Sequence, residues 1–367
     1  MRLVNADIYK LLELVNRRKI VCFGAGQALT NFLNMYSTLE LEDKINCIVD
    51  NSEEKIGTYF FYNNKKIPII SVDCLKKMKD VVVIITSRHT TEMFQQISEY
   101  EELRESLCFV SYYIMSETNM LIEEKRKYPA NFRITKEPCI PKIIHYCWFG
   151  GNEMPAKNCE WIKSWKKYCP DYQIIEWNES NYDITKNKYM YEAYKNKKWG
   201  FVSDYARMDL VYEYGGIYLD TDVEIIKNLD DLLYQPAFAG IESTKLINLG
   251  LGFGAQKNNP IIKLLREDYE DKSFIKEDGK LDLTPIPKVQ KKLFNSFGYI
   301  NNGEYQVLSD ITIYPEKVLS GKCNWTGRVL PIDKTYAIHH YDGSWVDENI
   351  KMEDIMRKEL FVNASKL

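Results

Sequence analysis

The chain has 367 residues, a length that favours two domains over one. Its hydrophobic fraction of 45% and charged fraction of 28% are ordinary for a soluble globular protein. The net charge of −3 argues against a protein built mainly to bind nucleic acid.

The cysteines and the N-terminal stretch indicate the cellular compartment of the protein. The nine cysteines include no Cys-x-x-Cys spacing, so neither a zinc knuckle nor a redox pair is predicted. Most of them lie in apolar runs, which favours a reducing environment. The stretch MRLVNADIYKLLELVNRRK lacks the apolar segment of a signal peptide. We therefore expect a cytoplasmic protein, with peripheral contact at a membrane surface still open.

The first 127 residues alternate helix and strand patterns in the manner of an open parallel sheet. Apolar residues at Ile8, Leu11 and Val15 predict an amphipathic helix. Strand patterns follow in KIVCF, INCIVD, IPII, VVVIIT and LCFV, with helical patterns between most of them. The sequence thus predicts an α/β fold with a Rossmann-like parallel sheet for residues 1–127.

A glycine turn lies inside this first pattern. Gly24 and Gly26 follow the strand KIVCF and open a helix, and Asp50 ends the next strand. This is the outline of a dinucleotide-binding turn, but Leu29 replaces the third glycine of the fingerprint. Two interpretations stay open: a turn that binds a nucleotide or metabolite, and a tight turn that only requires small residues. The domain resembles accessory domains of some bacterial polysaccharide enzymes.

A second pattern begins after a stretch with three prolines, KYPANFRITKEPCIP. Residues 128–140 lack periodicity and are predicted to be a linker. From Pro141 a strand pattern KIIHYCWF is followed by helical segments such as FVSDYARMDLVYEY and, finally, VDENIKMEDIMRKELF. We expect residues 141–367 to form a second, less regular α/β domain.

The segment YGGIYLDTDVEII places two aspartates after an apolar strand. Asp220 and Asp222 are two residues apart, so on an extended chain both carboxylates point to the same side. A divalent cation would compensate their repulsion, and Mg²⁺ or Mn²⁺ also binds diphosphate oxygens. Upstream, Asp204 and Arg207 share a helical face at i, i+3. They form either a surface ion pair or a site for phosphate and sugar hydroxyls.

Three segments, PKIIHYCWFGG, FVSDYARMDLVYEYGGIYLDTDVE and TYAIHHYDGSW, together resemble glycosyltransferase family 32. The resemblance covers residues 138–346 and implies a GT-A type glycosyltransferase fold. It implies that Asp220 and Asp222 hold Mn²⁺ or Mg²⁺ against the donor diphosphate. It also implies that Asp204 and Arg207 contact the donor sugar, and that Asp204, Arg207 and Asp222 are catalytic.

The resemblance implies roles for further residues. Trp148 matches a tryptophan that stacks on the nucleotide base, a contact of roughly 1–3 kcal/mol. His340 stands where similar enzymes place a metal-binding histidine, and Ser344 and Trp345 are expected to close over the diphosphate. Asn248, ahead of the glycine-rich NLGLGFGA, is expected to line the donor-sugar pocket.

His340 is favoured over His339 as the metal ligand, because neighbouring residues of a strand face opposite ways. His145 lies within the strand KIIHYCWF and is expected to be structural. The sequence departs from the family pattern at LDLTPIPK, where a Thr-Gly-Pro is common. The resemblance therefore does not indicate the acceptor.

The implied reaction is retaining transfer of a hexosyl group from a nucleotide diphosphate sugar, with a UDP-sugar preferred. The implied acceptor is a glycan or lipid-linked glycan in bacterial capsule or surface polysaccharide synthesis. A lipid-linked acceptor would bring the protein to the inner face of the membrane. A protein-glucosylating enzyme similar to bacterial toxins is an alternative within the same class.

Other classes of function fit the sequence less well. A glycoside hydrolase would need Asp220 and Asp222 opposed across a sugar ring, about 5–9.5 Å apart. A nucleotide- or metabolite-binding module with a degenerate second half would bind ligand without turnover. A dehydrogenase or epimerase lacks support, because the glycine fingerprint is incomplete.

Overall fold

The computed structural model describes residues 1–15, 18–343 and 346–366. The chain divides into two compact units, and it passes from the first to the second after Arg126. The first unit consists of residues 1–126, residues 325–327 and the C-terminal segment from residue 346. The remaining residues form the second unit.

The first unit begins with alternating strands and helices. Its strands are β1 (Arg2–Asn5), β2 (Lys19–Phe23), β3 (Ile45–Asp50), β4 (Tyr59–Tyr62), β5 (Lys65–Ser71), β6 (Val81–Ile85) and β7 (Leu107–Val110). Its helices are α1 (Ile8–Val15), α2 (Gln27–Met35), α3 (Thr90–Ser98) and α4 (Ser111–Glu124).

These strands form one sheet in the order β1-β7-β6-β2-β3-β5-β4. The edge strand β4 runs antiparallel to β5, and the other neighbours are parallel. Strands β2, β3, β5, β6 and β7 follow the 3-2-1-4-5 order of a doubly wound sheet. Strand β6 is buried at every position, as expected for a strand covered on both faces. The predicted α/β fold with a parallel sheet is confirmed.

The second unit contains shorter strands. They are β8 (Ile143–Cys147), β9 (Gln173–Trp177), β10 (Gly216–Tyr218), β11 (Val223–Ile225), β12 (Ala237–Gly240), β13 (Phe253–Ala255), β14 (Gln306–Val307), β15 (Thr312–Tyr314) and β16 (Ala337–His339). The helices are α5 (Ala156–Tyr168), α6 (Lys188–Lys195), α7 (Trp199–Tyr214), α8 (Pro260–Glu267), α9 (Ile286–Ser296) and α10 (Glu316–Leu319).

The main sheet of the second unit is mixed, with the order β14-β15-β12-β13-β10-β8-β9. Strand β10 lies in the interior of this sheet, parallel to β8 on one side and antiparallel to β13 on the other. Strands β11 and β16 form a separate antiparallel ribbon. The chain therefore leaves the main sheet after β10 and enters the ribbon at β11 within a few residues.

Two glycines join the buried helix α7 to β10. Gly215 and Gly216 have φ of +69° and +104°, values that favour glycine. A Cβ on Gly216 would lie 2.7 Å from the carbonyl oxygen of Ile143, on the neighbouring strand β8. The glycine pair is therefore required where the helix turns directly into the centre of the sheet.

The segment predicted to be a linker, residues 128–140, belongs to the second unit. Phe132 and Ile140 are buried in the core of that unit. The main-chain N–H of Ile134 donates to the Tyr234 carbonyl at 2.9 Å. The linker prediction was therefore wrong for this segment. A segment without periodicity can still contain single apolar residues, such as Phe132 and Ile140, that are buried in the core.

The predicted extent of the second domain also needs correction at its C-terminal end. Helix α11 (Glu348–Asn363) and strand β17 (Ser365–Lys366) belong to the first unit. Strand β17 pairs in parallel with β1, which extends the first sheet. Phe361 packs on the Tyr113 ring at a centroid distance of 5.0 Å, and the Tyr113 hydroxyl donates to the Arg357 carbonyl. The last helix thus completes the core of the first unit.

This packing predicts opposite outcomes for two neighbouring residues of α11. Phe361 is 6% exposed and Val362 is 79% exposed. Phe361→Ala should lower the free energy of unfolding by about 3–5 kcal/mol, because a large core side chain is lost. Val362→Ala should change it by less than about 0.5 kcal/mol. Chemical denaturation followed by circular dichroism measures both, and equal effects would contradict the described packing.

Candidate active site

The site is built where helix α7, strand β10 and the β11–β16 ribbon come together. Helix α7 carries Asp204 and Arg207 on a buried face. Asp220 and Asp222 follow β10, in the turn that leads into β11. This turn is held from outside by Asn158 of α5, whose amide nitrogen donates to the Thr221 main chain and hydroxyl at 3.3 and 3.2 Å.

Arg207 is the central cation of this arrangement. The residue is 4% exposed, and one terminal nitrogen lies 3.3 Å from an oxygen of Asp204 and 3.3 Å from an oxygen of Asp220. Its Nε donates to the Ser203 carbonyl at 3.1 Å, and its guanidinium lies 5.1 Å from the centre of the Tyr218 ring. The predicted pair of Asp204 and Arg207 is therefore a buried ion pair rather than a surface one.

A cluster of potential metal ligands lies beside this cation. One ligand atom each from Asp220, Asp222 and His339 can be chosen so that all lie within 4.8 Å of one another. Two carboxylates and an imidazole are a donor set that suits Mn²⁺ and is compatible with Mg²⁺. The carboxylate of Asp220 is the most open of the three, with 29% of the side chain exposed. These residues fit a divalent cation, and the exposure of Asp220 would leave that cation accessible to a ligand from solution.

The histidine of this cluster differs from the predicted one. Nε2 of His339 lies 3.2 Å from an oxygen of Asp222, whereas Nε2 of His340 lies 2.9 Å from an oxygen of Glu224. The ring of His340 also stacks on Trp161, with centroids 4.2 Å apart. The prediction of His340 as the histidine beside the aspartates was therefore wrong, and His339 takes that place.

The physical reason lies in the register of the small ribbon. Val223 pairs with His339, and the main-chain N–H of His340 donates to the carbonyl of Asp222 at 2.9 Å. Neighbouring side chains do alternate, as expected. Asp222, however, precedes β11, so its side chain does not follow the alternation of the strand and turns to the His339 side.

Electrostatics within the cluster favours a charged pair. Burial raises the pKa of Asp222, but the charge and hydrogen bond of His339 outweigh it and lower that pKa to about 2. Burial lowers the pKa of His339, and the Asp222 carboxylate reverses this effect and raises it. A metal ion that binds here must displace the His339 proton, so metal affinity should fall as pH is lowered.

Burial dominates at the two carboxylates that face Arg207. It raises the pKa of Asp204 to about 7, although the charge of Arg207 acts in the opposite direction. It also raises the pKa of Asp220, again against the effect of Arg207. The guanidinium therefore compensates only part of the cost of burying two carboxylates in one place.

Asn248, which was predicted to line the donor-sugar pocket, lies next to the cluster. Its Oδ1 accepts from the N–H of Gly250 at 2.8 Å, and its Nδ2 donates to Glu242 at 3.0 Å. A Cβ on Gly250 would overlap an oxygen of Asp220. Sequence reasoning missed Gly250 and Glu242, although the glycine run NLGLGFGA was a signal for close backbone approach. The role of Asn248 toward a sugar stays a prediction.

The other predicted residues do not contact the cluster in the described contacts or lie outside the described residues. Trp148 follows β8 and is partly exposed, and its indole N–H donates to the Asn152 carbonyl at 2.7 Å. Base stacking by Trp148 stays a prediction. Ser344 and Trp345, expected to close over the diphosphate, lie outside the described residues. His145 is structural as expected, because its Nδ1 accepts from Trp177 and its Nε2 lies 2.8 Å from the Gly215 carbonyl oxygen.

The glycine turn of the first unit is a separate candidate site. Gly24 has φ of +110°, and Gly26 precedes α2 with open space at its Cβ position. The carboxylate of Asp50 accepts from the N–H of Ala25 at 2.8 Å and from the N–H of Ser52 at 2.9 Å. Burial raises the pKa of Asp50, but these bonds and the ammonium of Lys55, 3.3 Å away, outweigh it and lower the pKa. The carboxylate expected to face a ligand is thus bound to its own turn.

Two family models match parts of the chain. Residues 155–239 match the family described as "glycosyltransferase sugar-binding region containing DXD motif", and residues 2–110 match "C-methyltransferase C-terminal domain". The first match includes Asp204, Arg207, Asp220 and Asp222. The resemblance to DXD glycosyltransferases is confirmed at this level for the second unit.

Curated relatives are similar over part of the chain. Inositol phosphoceramide mannosyltransferase 3 of Schizosaccharomyces pombe is 33% identical over 131 residues, which cover 34% of this chain and 35% of that protein. Subversion of eukaryotic traffic protein A of Legionella pneumophila is 26% identical, over 39% of this chain and 27% of that protein. An uncharacterized glycosyltransferase of Acanthamoeba polyphaga mimivirus is 28% identical, over 56% and 84%. The chain thus spans about a third of the length of the first of these relatives.

Among solved structures, the PaToxG glycosyltransferase is similar with 21% sequence identity and a TM-score of 0.34. The alignment covers 44% of this chain and 72% of that one. Within the described residues, none of the helices has the length and apolar character that crossing a membrane requires.

The two adjacent histidines provide a matched test of the metal cluster. His339→Ala should weaken Mn²⁺ binding at least about tenfold, because a ligand of the cluster is removed. His340→Ala should leave Mn²⁺ affinity within about twofold, because that ring contacts Glu224 and Trp161 instead. Electron paramagnetic resonance of free Mn²⁺ measures both affinities. The reverse order would restore His340 as the ligand.

The buried position of Arg207 predicts a large effect on stability. Arg207→Met should lower the free energy of unfolding by about 3–5 kcal/mol, since two carboxylates lose their cation. Arg133→Met is the control, because Arg133 forms an exposed ion pair with Asp231 and should cost less than about 1 kcal/mol. The double variant Asp204→Asn with Arg207→Met should recover part of the loss in urea denaturation. An additive double variant would contradict the pairing.

Proposed function

We propose that the second unit is a metal-dependent, retaining glycosyltransferase that moves a hexosyl group from a nucleoside diphosphate sugar to an acceptor hydroxyl. The observation that carries the proposal is the cluster of Asp220, Asp222 and His339 beside the buried Arg207. A divalent cation held there would neutralise oxygens of the donor diphosphate. The match of residues 155–239 to DXD sugar transferases supports the same assignment.

The same cluster argues against the glycoside hydrolase interpretation. A hydrolase pair must stand on opposite sides of a sugar ring, about 5–9.5 Å apart. Asp220 and Asp222 instead offer oxygens within 4.8 Å of each other and of His339. Carboxylates grouped in this way suit a shared cation better than an acid and a base.

In the proposed reaction, the bond between the anomeric carbon and the diphosphate oxygen breaks, and its electron pair stays with the diphosphate. The acceptor hydroxyl oxygen bonds to the same carbon from the same face, and its proton passes to the leaving diphosphate. Arg207 fixes Asp220 and contributes positive charge beside the leaving group. Asp204, the other partner of Arg207, accepts hydrogen bonds from donor-sugar hydroxyls.

For the donor we propose a UDP-sugar first, with Trp148 stacking on the base and Asn248 beside the sugar. The Schizosaccharomyces pombe relative is named as an inositol phosphoceramide mannosyltransferase, so a mannosyl donor is a second choice. The acceptor we propose is a glycan or lipid-linked glycan of bacterial capsule or surface polysaccharide synthesis. A lipid-linked acceptor would bring a cytoplasmic enzyme to the inner face of the membrane.

The test is calorimetric titration of UDP and GDP, each with Mn²⁺ and with EDTA. Wild type should bind one of them in a metal-dependent way, and Asp222→Ala should weaken that binding at least about tenfold. Asp171→Ala is the control, because Asp171 is exposed and pairs with Lys142 at the surface. Turnover of UDP-glucose and GDP-mannose with Mn²⁺ then identifies the donor. Binding that ignores both metal and Asp222 would refute the proposal.

A further inference from the structure

A lysine that the sequence motifs do not include lies against the metal-ligand segment. Lys322 follows the short helix α10, and this part of the chain is hydrogen-bonded to the end of β16. The N–H of His339 donates to the Ser320 carbonyl at 2.9 Å, and the hydroxyls of Ser320 and Tyr341 are 2.8 Å apart. The position of Lys322 is therefore fixed relative to His339.

The ammonium of Lys322 has spare hydrogen-bonding capacity. It is partly buried and donates to the carbonyl of His340 at 3.2 Å. No carboxylate among the described residues lies within the 4 Å of an ion pair with it. Burial lowers the pKa of Lys322, while the carboxylates of Asp342 and Asp222 act in the opposite direction. The ammonium thus lies near the acidic cluster without being neutralised by direct contact.

The neighbouring cations are already paired. Arg207 lies between Asp204 and Asp220, and Lys157 forms a short ion pair with Asp342. An ammonium group has three donors, and the described contacts of Lys322 use one of them. Two donors of this side chain therefore remain for an anion that enters beside the cluster.

We propose that Lys322 binds a phosphate oxygen of the nucleoside diphosphate. This inference rests on the proposed function, because it assigns the anion to the donor of that reaction. Charge-assisted hydrogen bonds to phosphate are stronger than neutral ones, and burial strengthens them further. Lys322 would also stabilise the charge that builds on the diphosphate when the glycosyl bond breaks.

The test compares UDP and GDP binding, with Mn²⁺ present, in wild type, Lys322→Gln and Lys157→Met. Lys322→Gln keeps a donor for the His340 carbonyl but removes the charge. It should weaken diphosphate binding roughly tenfold, with Mn²⁺ affinity and thermal unfolding temperature unchanged. Lys157→Met removes a neighbouring charge that is already paired, and it should weaken binding less than about threefold.

A second variant and a second ligand separate binding from structure. Lys322→Arg should retain most of the diphosphate affinity, because the charge and donors remain. Binding of the bare nucleosides, uridine and guanosine, should be the same in wild type and Lys322→Gln. A tenfold loss confined to the diphosphates supports the inference.

Three other results would overturn the inference in different ways. If wild type binds a diphosphate with Mn²⁺ and Lys322→Gln binds it equally well, Lys322 has no such role and the proposed function stands. If Lys322→Gln also loses Mn²⁺ binding or unfolds early, the lysine is a structural support of β16. If wild type binds neither UDP nor GDP with metal, the proposed function fails and this inference fails with it.

Discussion

The second unit depends on one buried cation. Arg207 is almost fully buried, and such a charge is tolerated only when it is paired and hydrogen-bonded. Its partners Asp204 and Asp220 come from α7 itself and from the end of the interior strand β10. The pairing therefore fixes one carboxylate of the potential metal ligands to the buried helix α7. A ligand that reaches Asp220 meets a group that is already oriented.

The Gly215–Gly216 turn and the small ribbon of β11 and β16 also fix the positions of the potential metal ligands. Because the chain leaves β10 and joins β11 within a few residues, both aspartates lie where the two sheets diverge. Strand β16 then brings His339 to Asp222 from far along the chain. The cluster of potential metal ligands thus requires correct pairing of the ribbon, and a register shift by one residue would present His340 instead.

Some of this arrangement was readable from the sequence. The spacing of Asp220 and Asp222 predicts a shared side, and the i, i+3 spacing predicts the pairing of Asp204 with Arg207. The choice between His339 and His340 was not readable, because it depends on where β11 begins. The sequence did not indicate either that α11 belongs to the first unit. The sequence shows an apolar residue at Phe361 within a helical pattern, but it does not indicate the surface on which this side chain packs.

The two candidate sites differ in how their carboxylates are satisfied. Asp50 accepts hydrogen bonds from the N–H groups of its own turn, so its lone pairs already serve the fold of the first unit. The Lys55 ammonium also lies 3.3 Å from an oxygen of Asp50, whose side chain is 11% exposed. Asp220 lies 3.3 Å from a nitrogen of Arg207, but 29% of its side chain is exposed. Asp220 also belongs to a group of three potential metal ligands with Asp222 and His339, and among the described residues Asp50 belongs to no such group. This difference explains why the metal-binding proposal rests on the second unit, although both units carry an aspartate at the end of a strand.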